Sequence, residues 1–168
     1  MTQAVLQTQV TEFSTDSGLQ KEARQSIARE LNFAVADTYK LLIDTHGVHW
    51  NVQVPLLYSI QKLTEDQYRE MFEAVDEMAE RSRALGFPAP QNWAAMDHLA
   101  SLGDTQSGVE LQQQIEHLIT CNEQLATEMR HMVRKAEEIN DVKTADLLTG
   151  RIGVHEDNAW MLRATIAS

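Results

Sequence analysis

From Leu56 to Leu85 the chain runs about thirty residues without a glycine or proline, between Pro55 and the stop "GFPAP" that starts at Gly86. Read as one helix, that stretch is roughly 45 Å long at 1.5 Å per residue. Pro55 suits the first turn of such a helix, where its missing N–H costs nothing, and Gly86 suits the position just past the end. A rod of this length sets the long dimension of whatever is built around it.

Three more stretches of comparable length accompany it. From about Leu19 to Asn51, Ile27, Leu31, Val35, Tyr39 and Leu42 recur at spacings of four and three, the stripe of an amphipathic helix. Val109 to Ile139 predicts a third helix, with Leu111, Ile115, Leu118, Leu125, Met129 and Val133 among its apolar positions. A fourth begins after "NDVKT", with Thr144 or a neighbour as its cap, and carries Leu147, Leu148, Ile152, His155, Trp160 and Leu162. The second and third helices are separated by about twenty residues, in which a short helix is expected near Asn92 to Leu102. The fold class is therefore all-α. A long crossover at that place describes a ferritin-like four-helix bundle with a short extra helix better than an up-and-down bundle with uniformly short loops. Residues 1 to 16, polar and without a sustained period, read as a flexible arm, and 17 to 168 as a single domain.

Charge narrows the partners. Fourteen Lys and Arg against 25 Asp and Glu give a net charge of −11, and the first twenty residues contain neither Lys nor Arg. An acidic chain with no basic cluster is repelled by nucleic acid and by anionic lipid, so DNA binding is not expected. The same twenty residues lack the charged start of a secretory signal, and no apolar run approaches the ~18 residues of a membrane span. The lone Cys121 has no partner for an internal disulfide, in keeping with a cytoplasmic location.

Continuing the first helix's stripe places His46 and His49 of "THGVHWN" on its apolar face. On the second helix Gln61, Glu65, Tyr68, Phe72, Asp76 and Glu80 follow at spacings of four and three, a stripe aromatic in the middle and polar at both ends. The ordinary reading makes the histidines core rings and pairs the carboxylates with Arg81 or Arg83. The combination also offers imidazole nitrogen and carboxylate oxygen, a donor set for Fe(II), Mn(II) or Zn(II). A di-iron site inside one bundle needs two Glu-x-x-His motifs, and only Glu128 to His131 fits. The two ends of the second-helix stripe lie about 15 Å or more apart, so no single ion reaches both. A site using both ends needs a second copy, set antiparallel across a two-fold axis.

The run "THGVHWNVQVPLLYSIQKLTEDQYREMFEAVDEMAERSRALGFP" strongly resembles the signature of the Dps proteins, the mini-ferritins, and "TADLLTGRIGVHEDNAWMLRA" is similar to that family's last helix. The resemblance implies a hollow homododecamer that oxidises Fe(II), typically with hydrogen peroxide, and stores ferric mineral. It implies His49 as a metal ligand of one subunit with Glu65 at an acidic position, and Asp76 and Glu80 as ligands from the partner subunit. Trp50 corresponds to the family's oxidisable tryptophan beside the site. Gln61 departs: the family usually has a second ligand histidine there, and a neutral amide oxygen holds metal less tightly. His46 is a candidate to supply the missing nitrogen, with packing as the alternative. Glu137, Glu138, Asp141 and Asp146 correspond to the acidic pore that admits iron, or else to an ordinary solvated helix end. A metal buffer with an impaired site, holding zinc or iron, is the alternative function, and a DNA-compacting protein the less expected one.

Overall fold

The computed structural model describes residue 12 and residues 14–53, 57–105 and 108–167; the expected arm, apart from residues 12 and 14–16, and Pro55 lie outside them. Five helices follow one another: α1 (Lys21–Asn51), α2 (Leu57–Ala84), α3 (Trp93–Leu99), α4 (Leu111–Glu138) and α5 (Val142–Ile166). No strand occurs among the described residues. α1 packs chiefly on α2 and α4 on α5; α1 against α4 and α2 against α5 close the four-helix bundle, and α3 lies on α1.

Cross-helix hydrogen bonds give the directions. Arg24 reaches the Leu85 carbonyl at one end of the α1–α2 pair and His49 the Gln61 carbonyl at the other, so these helices are antiparallel. Lys135 pairs with Glu30 and His117 with Asp44, which makes α4 antiparallel to α1 and therefore parallel to α2. This explains the long crossover: the chain leaves α2 at one end of the bundle and must return about 40 Å to start α4 at the other. Asp37 of α1, 1 % exposed, ties that returning segment down, accepting hydrogen bonds from the Ser101 and Leu102 amides at 2.6 and 3.0 Å and from the Ser101 hydroxyl at 2.8 Å.

Local chemistry ends the helices where they end. Gly86, at φ 98°, closes α2 in a Schellman turn, with its own amide on the Arg83 carbonyl and the Phe87 amide on the Ser82 carbonyl. Asn140, at φ 61°, performs the same service for α4, with the Asp141 amide 2.8 Å from the Ala136 carbonyl. The cap of α5 is Asp141 and not Thr144: its carboxylate accepts from the Thr144 amide at 3.0 Å and the Thr144 hydroxyl at 2.6 Å. An ionised Asp is the stronger acceptor at a helix N-terminus, and Thr144 becomes part of what it caps.

The apolar stripes form the core as expected, with Leu31, Ile115, Leu118, Leu125, Met129 and Leu148 fully buried. Trp160 is a correction: Leu148, His155, Ala159 and Leu162 share the inward face of α5, and Trp160 stands on the other side, 66 % exposed. No helix is long and apolar enough to cross a membrane among the described residues.

Candidate metal centre

The last turn of α1 and the first turns of α2 meet where "THGVHW" faces "IQKLTEDQY". His49 Nδ1 lies 3.0 Å from the main-chain carbonyl oxygen of Gln61 and 3.3 Å from Thr64 Oγ1. A carbonyl can only accept, so Nδ1 carries a hydrogen, and in the neutral ring the lone pair is then on Nε2, the form in which a histidine binds metal. His46, one turn earlier, stacks on Trp50 with ring centroids 4.8 Å apart and planes 12° from parallel, and presses on Tyr68 at 3.8 Å. Tyr68 also meets the His49 ring edge-on at 5.3 Å. Burial, helped by His49, pulls the His46 pKa below the usual histidine range, so this ring is neutral. Trp50 remains 70 % exposed.

Glu65 stands one turn beyond Gln61, its carboxylate 2.5 Å from Arg69 and 3.6 Å from Lys62. Farther along the same face come Phe72, 62 % exposed, and then Asp76 and Glu80, both exposed. Arg81, which the ordinary reading paired with these carboxylates, instead binds Asp141 at 2.7 Å and the Thr144 hydroxyl at 2.9 Å. An open depression of about 310 Å³, bordered by His46, Tyr68 and Phe72, lies at the His49 end, and another of about 450 Å³, bordered by Glu80 and Lys143, at the other.

The structure thus brings His46, His49, Trp50, Tyr68 and the main chain of Gln61 together, with Glu65 nearby. It leaves Asp76 and Glu80 about 20 Å away along α2. Within one chain, no group of three or more His, Cys, Asp and Glu residues is placed to hold a metal ion among the described residues. The residue types themselves suit iron, which takes imidazole nitrogen and carboxylate oxygen as donors. Of the four pore candidates, Glu137, Glu138 and Asp146 are exposed. Asp141 is not available: it is 2 % exposed and occupied by the α5 cap and by Arg81.

Two contacts, one buried and one half-buried, went unseen in the sequence. Thr64, with no exposed surface, has no apolar or charged signature on which a pattern can act; only its place three residues after Gln61 hinted at it. His117 joins α4 to α1 through Asp44 at 3.1 Å and has Cys121 Sγ 3.5 Å away; burial, then Asp44, pushes that thiol up to about 12, so it is not a reactive thiolate.

A model of the ferritin-like domain matches residues 28–168. A low temperature-induced protein of Nostoc sp. is 38% identical over 154 residues, covering 89% of this chain and 84% of its own. The DNA protection during starvation protein 2 of Bacillus anthracis is 29% identical over 140 residues, covering 83% and 96%. The crystal structure of Dps from Thermosynechococcus elongatus superposes with a TM-score of 0.85 at 27% identity, over 88% of this chain and 94% of that one. The chain belongs to the Dps family of ferritin-like proteins. The side chain of Gln61 is exposed, and its main-chain oxygen is what touches the neighbouring histidine.

Proposed function

We propose that this Dps chain oxidises Fe(II) with hydrogen peroxide at sites shared between subunits and stores the ferric product inside a hollow homododecamer, protecting a cytoplasm from oxidative stress. The observation that carries the reading is the α2 face, with a histidine end, a carboxylate end and the exposed Phe72 ring between them. Two antiparallel copies of that face about a two-fold axis bury Phe72 and bring His49 and Glu65 of each chain against Asp76 and Glu80 of the partner subunit, giving two equivalent sites.

Iron is the substrate. Two Fe(II) ions each give one electron to hydrogen peroxide, the O–O bond breaks, and two protons complete two waters. The chain's own groups do three things. His49 offers Nε2 while its Nδ1–H is held. Asp76, Glu80 and Glu65 neutralise the cations, Glu65 exchanging Lys62 and Arg69 for metal; removing both reactants together denies them the chance to form hydroxyl radical. Trp50, stacked on the neutral His46, is an oxidisable ring within one residue of the ligand. His46 packs against the rings of Trp50 and Tyr68, which favours packing over ligation as its role. Glu137, Glu138 and Asp146 remain the pore candidates that focus cations towards the cavity. Family membership and the carboxylate-rich donor set favour iron over zinc as the cargo, and the charge of −11 speaks against DNA as a partner.

Anaerobic addition of Fe(II) with peroxide tests the reading. Wild type consumes about one peroxide per two Fe(II), and a His49→Ala, Asp76→Ala double variant slows this by at least ~100-fold, the scale of losing first ligands. Equal rates in the two proteins exclude the site.

A further inference from the structure

We propose that Thr64 is the positioning residue of His49: together with the Gln61 main-chain oxygen it holds the ring in the Nδ1–H tautomer and so keeps Nε2 free for metal. The proposal rests on the metal-site reading of His49 and adds to it a residue on the buried side of the site.

The hydroxyl of Thr64 has only one hydrogen, and that hydrogen faces carbonyl oxygens. Oγ1 lies 2.7 Å from the Ile60 carbonyl and 3.2 Å from the Gln61 carbonyl. What remains for His49 Nδ1, 3.3 Å away, is a lone pair. Both oxygens near Nδ1 therefore accept, and a ring with its own lone pair on Nδ1 would set like charge against both. The shared Nδ1–H is the only arrangement in which all of these groups are satisfied. The hydroxyl has no exposed surface, so water cannot take its place.

Geometry gives the hydroxyl a second task. The Gln61 carbonyl alone, 3.0 Å from Nδ1, lets the ring swing about its bond to Cβ; a second acceptor on the next turn of α2 fixes the ring plane. Tyr68, from the same helix, meets the ring edge-on at 5.3 Å and further limits it. Position 61 thus serves His49 through a main-chain atom that any residue would supply, and Thr64 supplies the part that is specific to a side chain.

Neutron diffraction from crystals of the metal-free protein locates the deuterium on His49; the expected place is Nδ1. Equilibrium Fe(II) binding under anaerobic conditions then compares wild type, Thr64→Val, Thr64→Ser and His49→Ala. Valine keeps the β-branched shape and removes only the oxygen. The expected result is about 10-fold weaker binding in Thr64→Val, the lower end of what loss of an outer hydrogen bond costs a metal site, with Thr64→Ser within about 2-fold of wild type. Deuterium on Nε2 overturns the proposal. So does wild-type affinity in Thr64→Val when His49→Ala binds weakly. If His49→Ala itself binds as wild type does, the metal-site reading fails first and the proposal falls with it.

Discussion

His155 is fully buried on α5, with Nδ1 2.9 Å from Asn122 Oδ1, and burial, with Arg151 one turn away, holds its pKa down at about 3. The unfolded chain protonates this ring near pH 6.5 and the folded chain does not. Between those values the unfolded state binds more protons, so stability rises with pH and is lost as pH falls through the window, by up to about 1.4 kcal/mol per pH unit. His155→Leu is expected to flatten the dependence of urea unfolding between pH 4 and 6.5, at fixed protein concentration, and to cost about 1–3 kcal/mol at neutral pH because Asn122 Oδ1 loses its donor. A slope unchanged by the substitution would assign it to other groups. The same residue shows what a pattern can and cannot carry. The helical period placed His155, His46 and His49 on inward faces, because spacing alone determines face. It could not say that His155 finds Asn122, or that His49 finds a main-chain oxygen, since a carbonyl has the same sequence signature at every position.

At the scale of elements, the breakers did most of the work. Gly86 and the unbroken run before it predicted α2 to within a residue or two, and the separation of α2 from α4 required the long return. The α4–α5 turn was harder. It is made by Asn140 at φ 61°, without glycine or proline, and the cap is Asp141, three residues before the expected Thr144. Asp141→Ala removes the cap and strands the mostly buried Arg81; urea unfolding should lose about 2–4 kcal/mol, against a smaller loss in Asp141→Asn, which keeps the cap but not the charge. A loss below ~0.5 kcal/mol in the alanine variant would remove Asp141 from any structural role. Asp37→Ala acts on the crossover in the same way. Hydrogen exchange of the Ser101 and Leu102 amides should speed up well before that of the core helices, because the crossover loses its three hydrogen bonds to α1.

For the whole molecule, the sequence implied that one chain is not enough: the proposed site, with its nitrogen at one end of α2 and two of its carboxylates at the other, is incomplete alone. Phe72→Glu places a charge in the middle of the proposed two-fold contact. Analytical ultracentrifugation should then find smaller species where wild type is expected to sediment as the proposed dodecamer, with helical content retained in far-UV spectra; an intact dodecamer would move the contact elsewhere. The assembled protein should leave DNA unretarded in a mobility-shift gel at moderate salt, given the net charge of −11 per chain.

The proposed division of the site between the ends of α2 has a genetic reading. A chain with His49→Ala keeps its carboxylate end, and one with Asp76→Ala keeps its histidine end. Each is expected to be inactive as a pure protein. In a cell that makes both, a mixed pair combines the good end of one allele with the good end of the other and restores one of its two sites. Random pairing makes about half of the pairs mixed and so revives about one quarter of all sites. Two defective alleles would complement each other, whereas a double variant expressed beside either would rescue nothing.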